Sequence, residues 1–251
     1  MTSNVQICIE NGIFFITLSR EKRLNSITNE MYKQLTEAFK KANHDCNVFL
    51  TVIKGVGRYY SAGSDFSLDE LSEMSGDEKS SYYYLVEEII NHAKPIIALV
   101  HGPAVGIAVT TLALFDMMFF ISATFLCPFT TLGLCPEAAS SYSFIQSMGY
   151  QKAAKMLMFA EKITAAEALE CGLVSKVFPS ESFDVLSRDL IQKYAQLSPE
   201  SLLASKQLLR TNKQLKELHN VNETEHDVLI KLMTSESTME RIMKKFTKSK
   251  L

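Results

Sequence analysis

Two short segments near the N-terminus alternate between apolar and polar residues. They are Val5–Ile9 and Ile13–Leu18, and Asn11-Gly12 lies between them. Alternation with a period of two is typical of strands with one buried face, and Asn-Gly favours the tight turn of a hairpin. The chain is therefore expected to begin with a β-hairpin.

Farther along, segments with helical spacing alternate with short, continuously apolar segments. A helix is predicted from Ile27-Thr28-Asn29-Glu30 onward, because apolar residues from Met31 to Ala42 recur at helical spacing. Continuous apolar runs fit strands of a parallel sheet that is covered on both faces. The predicted strands are Val48–Ile53, Ile96–Val100 and Met117–Ile121, and further helices are predicted at Tyr82–His92 and Val105–Leu114. This alternation indicates an α/β fold.

The second half of the chain is predicted to be mostly helical. Thr164-Ala165-Ala166-Glu167 is a capping box, and Leu173–Phe178 predicts a short strand. Amphipathic helices are predicted within Ser180–Thr211 and Glu223–Lys245, and the polar segment Asp69–Ser80 is expected to be a mobile connection. Because no linker or repeat requires a second unit, residues 1–251 are expected to form one domain.

Composition narrows the classes of function. A net charge of -2 argues against nucleic acid as the main partner. The most apolar stretch, Ile96–Ile121, is interrupted by polar residues, glycine and proline, so it predicts buried strands and a helix rather than a membrane span. The five cysteines form no zinc-binding spacing and the five histidines no cluster with carboxylates, so no metal site is expected.

The candidate chemistry lies in two loops of small residues and one acidic residue. The first loop is Tyr60-Ser61-Ala62-Gly63-Ser64-Asp65, the second is His101-Gly102-Pro103-Ala104-Val105-Gly106-Ile107, and the acid is Glu137. Each loop follows a predicted strand and can direct backbone N–H groups at one point. Two convergent donors beside a base are what enolate chemistry on a carbonyl compound requires.

The C-terminal tripeptide carries a separate signal. Ser249-Lys250-Leu251 matches the peroxisomal address that an import receptor reads. It predicts a peroxisomal location, with that receptor as a partner.

The motifs along the chain together resemble the crotonase (enoyl-CoA hydratase/isomerase) superfamily, and within it the peroxisomal enoyl-CoA delta isomerases. The resemblance covers nearly the whole chain, and the order and spacing of the motifs make it specific. The motifs are Leu18-Ser19-Arg20, Leu24-Asn25-Ser26-Ile27, Tyr60–Asp65, Gly102–Gly106, Ala123-Thr124-Phe125, Pro128-Phe129, Pro136-Glu137, Leu157–Thr164 and Gly172-Leu173-Val174.

The resemblance implies a fold and an assembly. The fold is a crotonase spiral of ββα units with a C-terminal helical region, about residues 196–251, that forms trimers. Homotrimers or stacked hexamers are therefore expected. The resemblance also implies that no metal or redox cofactor is needed and that coenzyme A enters as part of the substrate.

The resemblance further implies the roles of the site residues. The backbone N–H groups of Ser64 and Ile107 would form an oxyanion hole, and Glu137 would be the single catalytic acid. Its weakly polar neighbours favour a raised pKa. The positions where hydratases of the superfamily carry two glutamates hold Thr110 and Phe129. The implied substrate-binding residues are Ser61, Ala62, Gly63, Asp65, Gly106 and Phe129.

The expected activity is isomerisation of a 3-enoyl-CoA to the trans-2-enoyl-CoA in fatty-acid oxidation. Three alternatives stay open at this point: an enoyl-CoA hydratase, an acyl-CoA thioesterase, and a non-catalytic acyl-CoA-binding or interaction module. Retention of Glu137 and of the terminal tripeptide favours the isomerase. The basic residues Lys22, Arg23, Lys244, Lys245 and Lys248 either contact coenzyme A phosphates or form a solvated face.

Overall fold

The computed structural model describes residues 3–67 and 79–248. Most of the polar connection Asp69–Ser80 and the tripeptide Ser249-Lys250-Leu251 lie outside the described residues. The strands within the described ranges are β1 (Val5–Glu10), β2 (Ile13–Leu18), β3 (Leu50–Gly55), β4 (Ile96–Val105), β5 (Met117–Leu126), β6 (Ile163–Thr164) and β7 (Lys176–Val177).

The described strands form one sheet in the order β1-β2-β3-β4-β5-β6, and β7 pairs with β5. The first two strands are the predicted antiparallel hairpin, whereas β2, β3, β4 and β5 run parallel. Parallel strands bring their carboxyl ends to one edge of a sheet, where ligands of open α/β sheets bind. The segments that follow β3 and β4 meet at this edge.

Strand β4 is five residues longer than the sequence predicted. Pro103, Ala104 and Val105 pair with Thr124, Phe125 and Leu126 after an irregularity in register at Gly102. Most of the second predicted loop is therefore strand. Its small residues carry little strand propensity, and neighbouring strand β5 imposes the extended conformation on them. The predicted helix Val105–Leu114 accordingly starts later, at Ile107.

The helices begin at clear capping signals. The Thr28 side chain accepts a hydrogen bond from the Met31 amide, and the predicted Thr164–Glu167 capping box is present. The helices are α1 (Asn29–His44), α2 (Ser81–Ile90), α3 (Ile107–Thr110), α4 (Phe129–Leu132), α5 (Ser140–Met148), α6 (Tyr150–Leu157), α7 (Ala165–Glu170), α8 (Phe183–Tyr194), α9 (Pro199–Leu209), α10 (Asn212–Met233) and α11 (Glu236–Lys248).

Helices cover both faces of the sheet, as the continuously apolar strands predicted. On one face Phe14 and Val100 join the core formed with α1 and α2. On the other face Leu99 and Phe119 pack with Phe183 of α8. Among the described residues, no helix combines the length and the apolar character that crossing a membrane requires.

The C-terminal helices are attached to this core by hydrogen bonds and by helix packing. In α9 the buried Lys206 ammonium donates to the Lys94 carbonyl at 2.6 Å and to Asp116 Oδ2 at 2.8 Å. Helix α10 packs against α2 and α5. Two of its side chains, Leu229 and Met233, reach the edge of the sheet where β3 and β4 end.

Candidate active site

A cavity of about 440 Å³ opens at the carboxyl ends of β3 and β4. This volume lies within the usual range of small-molecule sites. Eight of the nine residues predicted for the site line it: Ala62, Gly63, Ser64, Asp65, Gly106, Ile107, Phe129 and Glu137. The ninth, Ser61, lies beneath the lining. The topology therefore brings together residues that are up to 75 positions apart in the chain.

The first loop presents one unpaired amide to this cavity. The Ala62 N–H donates to the Leu24 carbonyl at 2.9 Å, and the Asp65 N–H donates to the Ile27 carbonyl at 2.8 Å. These bonds turn the Ser64 N–H the other way. It finds no hydrogen-bond acceptor among the described residues, so it is available to a ligand.

The second unpaired amide comes from the start of α3. The Val105 N–H donates to Ser61 O at 3.0 Å and the Gly106 N–H to Leu126 O at 2.8 Å. Ile107 is the first residue of the helix, and the N–H groups of a first turn have no partner within the helix. The described part of the chain offers the Ile107 amide no acceptor. It is therefore a second donor at the same cavity.

Glycine makes the close approach of the two segments possible. A Cβ atom on Gly63 would lie 2.5 Å from the Val105 carbonyl oxygen, which is too close for any side chain. Gly63 also has φ of +83°. Gly106 has φ 57° and ψ -126°, a conformation that L-residues avoid. Gly63 thus allows the two backbone segments to pack closely, whereas Gly106 is required by its own backbone conformation.

Ser61 positions the first loop from below. It is fully buried; its hydroxyl donates to the Asn25 carbonyl at 2.8 Å and accepts from the Gly63 amide at 3.1 Å. Its side chain holds the backbone in place instead of meeting the cavity.

Asp65 is tied to the neighbouring segment. Its Oδ2 lies 2.5 Å from Arg20 Nη1 and accepts from Ser26 Oγ at 3.3 Å. Burial opposes ionisation, but the hydrogen bond from Arg20 and its charge hold the pKa of Asp65 below its usual value. This carboxylate is therefore occupied by an ion pair that fixes the loop.

Glu137 faces the cavity without such partners. It is 7% exposed, and none of the described residues donates a hydrogen bond to its carboxyl. Burial, together with the negative charge of Glu225, raises the pKa of Glu137 to about 8. The next two residues, Ala138 and Ala139, have φ of 61° and 54°. Such left-handed alanines cost energy, and here they form the turn that carries the acid.

The remaining walls are largely apolar. Phe129, Leu132 and Leu134 line the cavity on the side of Glu137. Thr110, at the other position where the resemblance implies a glutamate in hydratases, is fully buried, and its hydroxyl donates to the Ile107 carbonyl at 3.4 Å. Neither position supplies a carboxylate, so Glu137 is the cavity's one carboxyl without an ion pair among the described residues.

The basic candidates divide between the cavity and the surface. Lys22 and Arg23 line the cavity, whereas Lys244 is exposed on α11. The side chains of Lys245 and Lys248 lie outside the described ones. Within the described ranges, no group of three or more histidine, cysteine, aspartate or glutamate residues is placed to hold a metal ion.

Two further residues, Tyr82 and Glu225, belong to this site, and the sequence patterns gave Glu225 no role. Tyr82 lines the cavity, and its buried hydroxyl has no hydrogen-bond partner among the described residues. Glu225 lies behind Glu137, on α10. The signal for Glu225 was present in the sequence, because this glutamate falls on the buried face of α10 that also carries Leu218, Asn222 and Leu229.

Comparison with known proteins first defines the fold. A solved structure of an enoyl-CoA hydratase/isomerase from Pseudoalteromonas atlantica T6c superimposes with a TM-score of 0.90 at 28% identity, covering 98% of each chain. The protein has the crotonase fold, with a parallel sheet and a helical C-terminal region.

Sequence comparison then defines the family. The profile of the family described as "Enoyl-CoA hydratase/isomerase" matches residues 8–249, and the chain belongs to this family. It is 41% identical to rat "Enoyl-CoA delta isomerase 2" over 96% of this chain and 63% of that protein. It is 39% identical to mouse "Enoyl-CoA delta isomerase 3, peroxisomal" over 94% of this chain and 75% of that protein. The chain thus spans somewhat less than two thirds of the rat relative.

Proposed function

We propose that this protein is an enoyl-CoA isomerase that moves a β,γ double bond of an acyl-CoA thioester to the trans-α,β position. The observation that carries this proposal is the composition of the cavity. Two backbone amides and one deeply buried carboxyl line it together, and none of the three has a hydrogen-bond partner among the described residues. The names of the rat and mouse relatives support the same assignment.

The proposed mechanism uses the two amides as an oxyanion hole. The thioester carbonyl oxygen accepts hydrogen bonds from the N–H groups of Ser64 and Ile107. Glu137 removes a proton from the α carbon, the α C–H electron pair moves into the dienolate, and negative charge develops on the oxygen that the amides bind. Glu137 then returns the proton to the γ carbon. One proton leaves and one returns, so no cofactor is consumed.

The state of Glu137 suits a base that must also give its proton back. A carboxyl with a pKa near 8 is a stronger base than an exposed glutamate, and it still ionises near neutral pH. Phe129 stands at a position where the resemblance implies a water-activating glutamate in hydratases. The same arrangement therefore disfavours hydration, the reaction of the hydratase alternative.

Paired turnover assays test this proposal. A 3-enoyl-CoA is expected to be isomerised, while hydration of a 2-enoyl-CoA stays negligible beside it. Comparable rates of both reactions would favour the hydratase, and release of free coenzyme A the thioesterase. Acyl-CoA binding without any turnover would instead assign a non-catalytic binding module.

We further propose a peroxisomal location and a homotrimeric or hexameric assembly. Ser249-Lys250-Leu251 and the peroxisomal mouse relative support the location. Deleting Leu251 is expected to leave the fold intact and the protein in the cytosol. Unchanged import after that deletion would rule out the tripeptide as the address. Sedimentation of the purified protein tests the assembly.

A further inference from the structure

Glu225 is a buried acid that the proposed mechanism does not use. It is 7% exposed and reaches from α10 to the start of α5, where its Oε1 accepts the Ser141 amide at 2.7 Å. Its second oxygen, Oε2, is buried and has no hydrogen-bond partner among the described residues. Helix α5 begins three residues after Glu137, so Glu225 contacts the turn that carries the acid.

The hydrogen bond from Ser141 decides which of the two acids ionises first. Burial holds the pKa of Glu225 above its usual value, and the hydrogen bonds from the amides at the start of α5 offset only part of this effect. None of the described residues gives Glu137 a comparable donor. Two carboxyls whose charges act on each other titrate as a pair, and the one with the hydrogen-bond donor loses its proton first. Glu137 is therefore left to ionise beside a negative charge.

The buried and half-buried titratable groups around this pair are uncharged at neutral pH, and the exposed Glu217 lines the same surface pocket as Glu225. Burial raises the pKa of Tyr82 on α2 and of Cys127, and raises that of Cys135 to about 12. Tyr32 of α1 also faces Tyr82. His226, next to Glu225, contacts the Ser80 hydroxyl at 2.8 Å, and burial lowers its pKa. Glu225 is thus the charged group that acts on Glu137.

We propose that Glu225 is a positioning residue: its carboxylate holds the turn that carries Glu137, and its charge makes Glu137 a stronger base. The role in catalysis rests on the proposed isomerisation, in which Glu137 moves the proton. The effect on the acid itself is a property of the protein alone and is measured without substrate.

Carboxyl ¹³C NMR titration of the full chain tests the proposal independently of activity. The Glu137 signal is identified by its absence in Glu137→Gln. In Glu225→Gln, which keeps an acceptor for the Ser141 amide, the Glu137 midpoint is expected to fall by about one pH unit, on the scale of a neighbouring charge. Glu217→Gln removes the same charge from an exposed position of α10 and is expected to leave the midpoint unchanged.

The pH profile of turnover gives the second readout. In Glu225→Gln the acidic limb of kcat/KM is expected to move to lower pH, in parallel with the NMR midpoint. An unchanged or raised Glu137 midpoint in a folded Glu225→Gln variant would overturn the proposal. A shifted midpoint in a protein that lacks isomerase activity would support the electrostatic coupling and reject the proposed function.

Discussion

Two regions of the molecule bury an ionisable side chain to a similar extent and use it differently. Glu137 is 7% exposed and Lys206 is 6% exposed. Lys206 donates to Asp116 and to the Lys94 carbonyl, whereas none of the described residues donates to the Glu137 carboxyl. The lysine therefore holds α9 to the sheet edge, and the glutamate keeps its reactivity for the cavity. The presence of hydrogen-bond partners, and not the degree of burial, therefore distinguishes the structural residue Lys206 from the reactive residue Glu137.

The largest expected effect comes from removing the unpaired charge. Glu137→Gln keeps the shape and removes the base, so isomerase turnover is expected to fall by roughly a hundredfold or more. Acyl-CoA affinity is expected to change little, because backbone donors and apolar walls hold the ligand. Both quantities are measured on the same folded variant. Near-normal turnover would show that another group moves the proton.

Removing the paired ammonium of Lys206 is expected to lower stability and to leave turnover nearly unchanged. Lys206→Met loses two hydrogen bonds of a charged donor, so the free energy of unfolding is expected to fall on the order of 2 kcal/mol. Turnover of the folded variant is expected to remain within about twofold of the original, since Lys206 is remote from the reaction. Urea unfolding and kinetics measure the two effects, with exposed Lys193→Met as the control. A large loss of turnover in the folded Lys206→Met variant would contradict the purely structural role of Lys206.

Glu137 and Lys206 are expected to make stability change with pH in opposite directions. The pKa of Glu137 in the folded protein is raised to about 8. Its contribution to the free energy of unfolding is therefore complete below about pH 4.5 and is lost as the pH rises through 8. Burial, partly offset by Asp116, lowers the pKa of Lys206 to about 8. The contribution of Lys206 to the free energy of unfolding therefore grows as the pH rises from 8 to about 10.5. Each slope is at most about 1.4 kcal/mol per pH unit.

Unfolding experiments across this pH range separate the two contributions. Glu137→Gln is expected to remove the fall between about pH 4.5 and 8, and Lys206→Met the rise above pH 8. If both variants keep the pH dependence of the original protein, then neither residue is titrating as its environment implies.

The smallest expected effect is at Ser64. Its hydroxyl bonds to the Tyr32 hydroxyl at 2.7 Å, while the donor proposed for the substrate is its backbone amide. Ser64→Ala keeps that amide, so turnover is expected to change by less than about threefold, far below the hundredfold cost of losing an oxyanion donor. Steady-state kinetics measure the change. A hundredfold loss would assign the chemistry to the hydroxyl.

Local sequence signals were sufficient for the hairpin, the helix caps and the parallel sheet. The glycine positions and Glu137 also pointed to the cavity, because strand ends meet at one edge. The predicted end of β4 was wrong, because pairing with β5, and not their own strand propensity, holds the small residues of this segment extended. The place of Ser61 under the loop and the approach of Glu225 from α10 depend on tertiary packing, which no local pattern records.

The contact of Gly63 with the Val105 carbonyl has a consequence for how such a protein can diversify. The two unpaired amides are parts of one interlocked backbone unit, so selection can neither move one of them alone nor retune it by a side-chain change. Acids that stand on other segments, as Glu137 and Glu225 do, can change without disturbing that backbone unit. New reactions on this fold are therefore expected to arise by changes in the positions of acidic residues, while the two backbone amides stay in place.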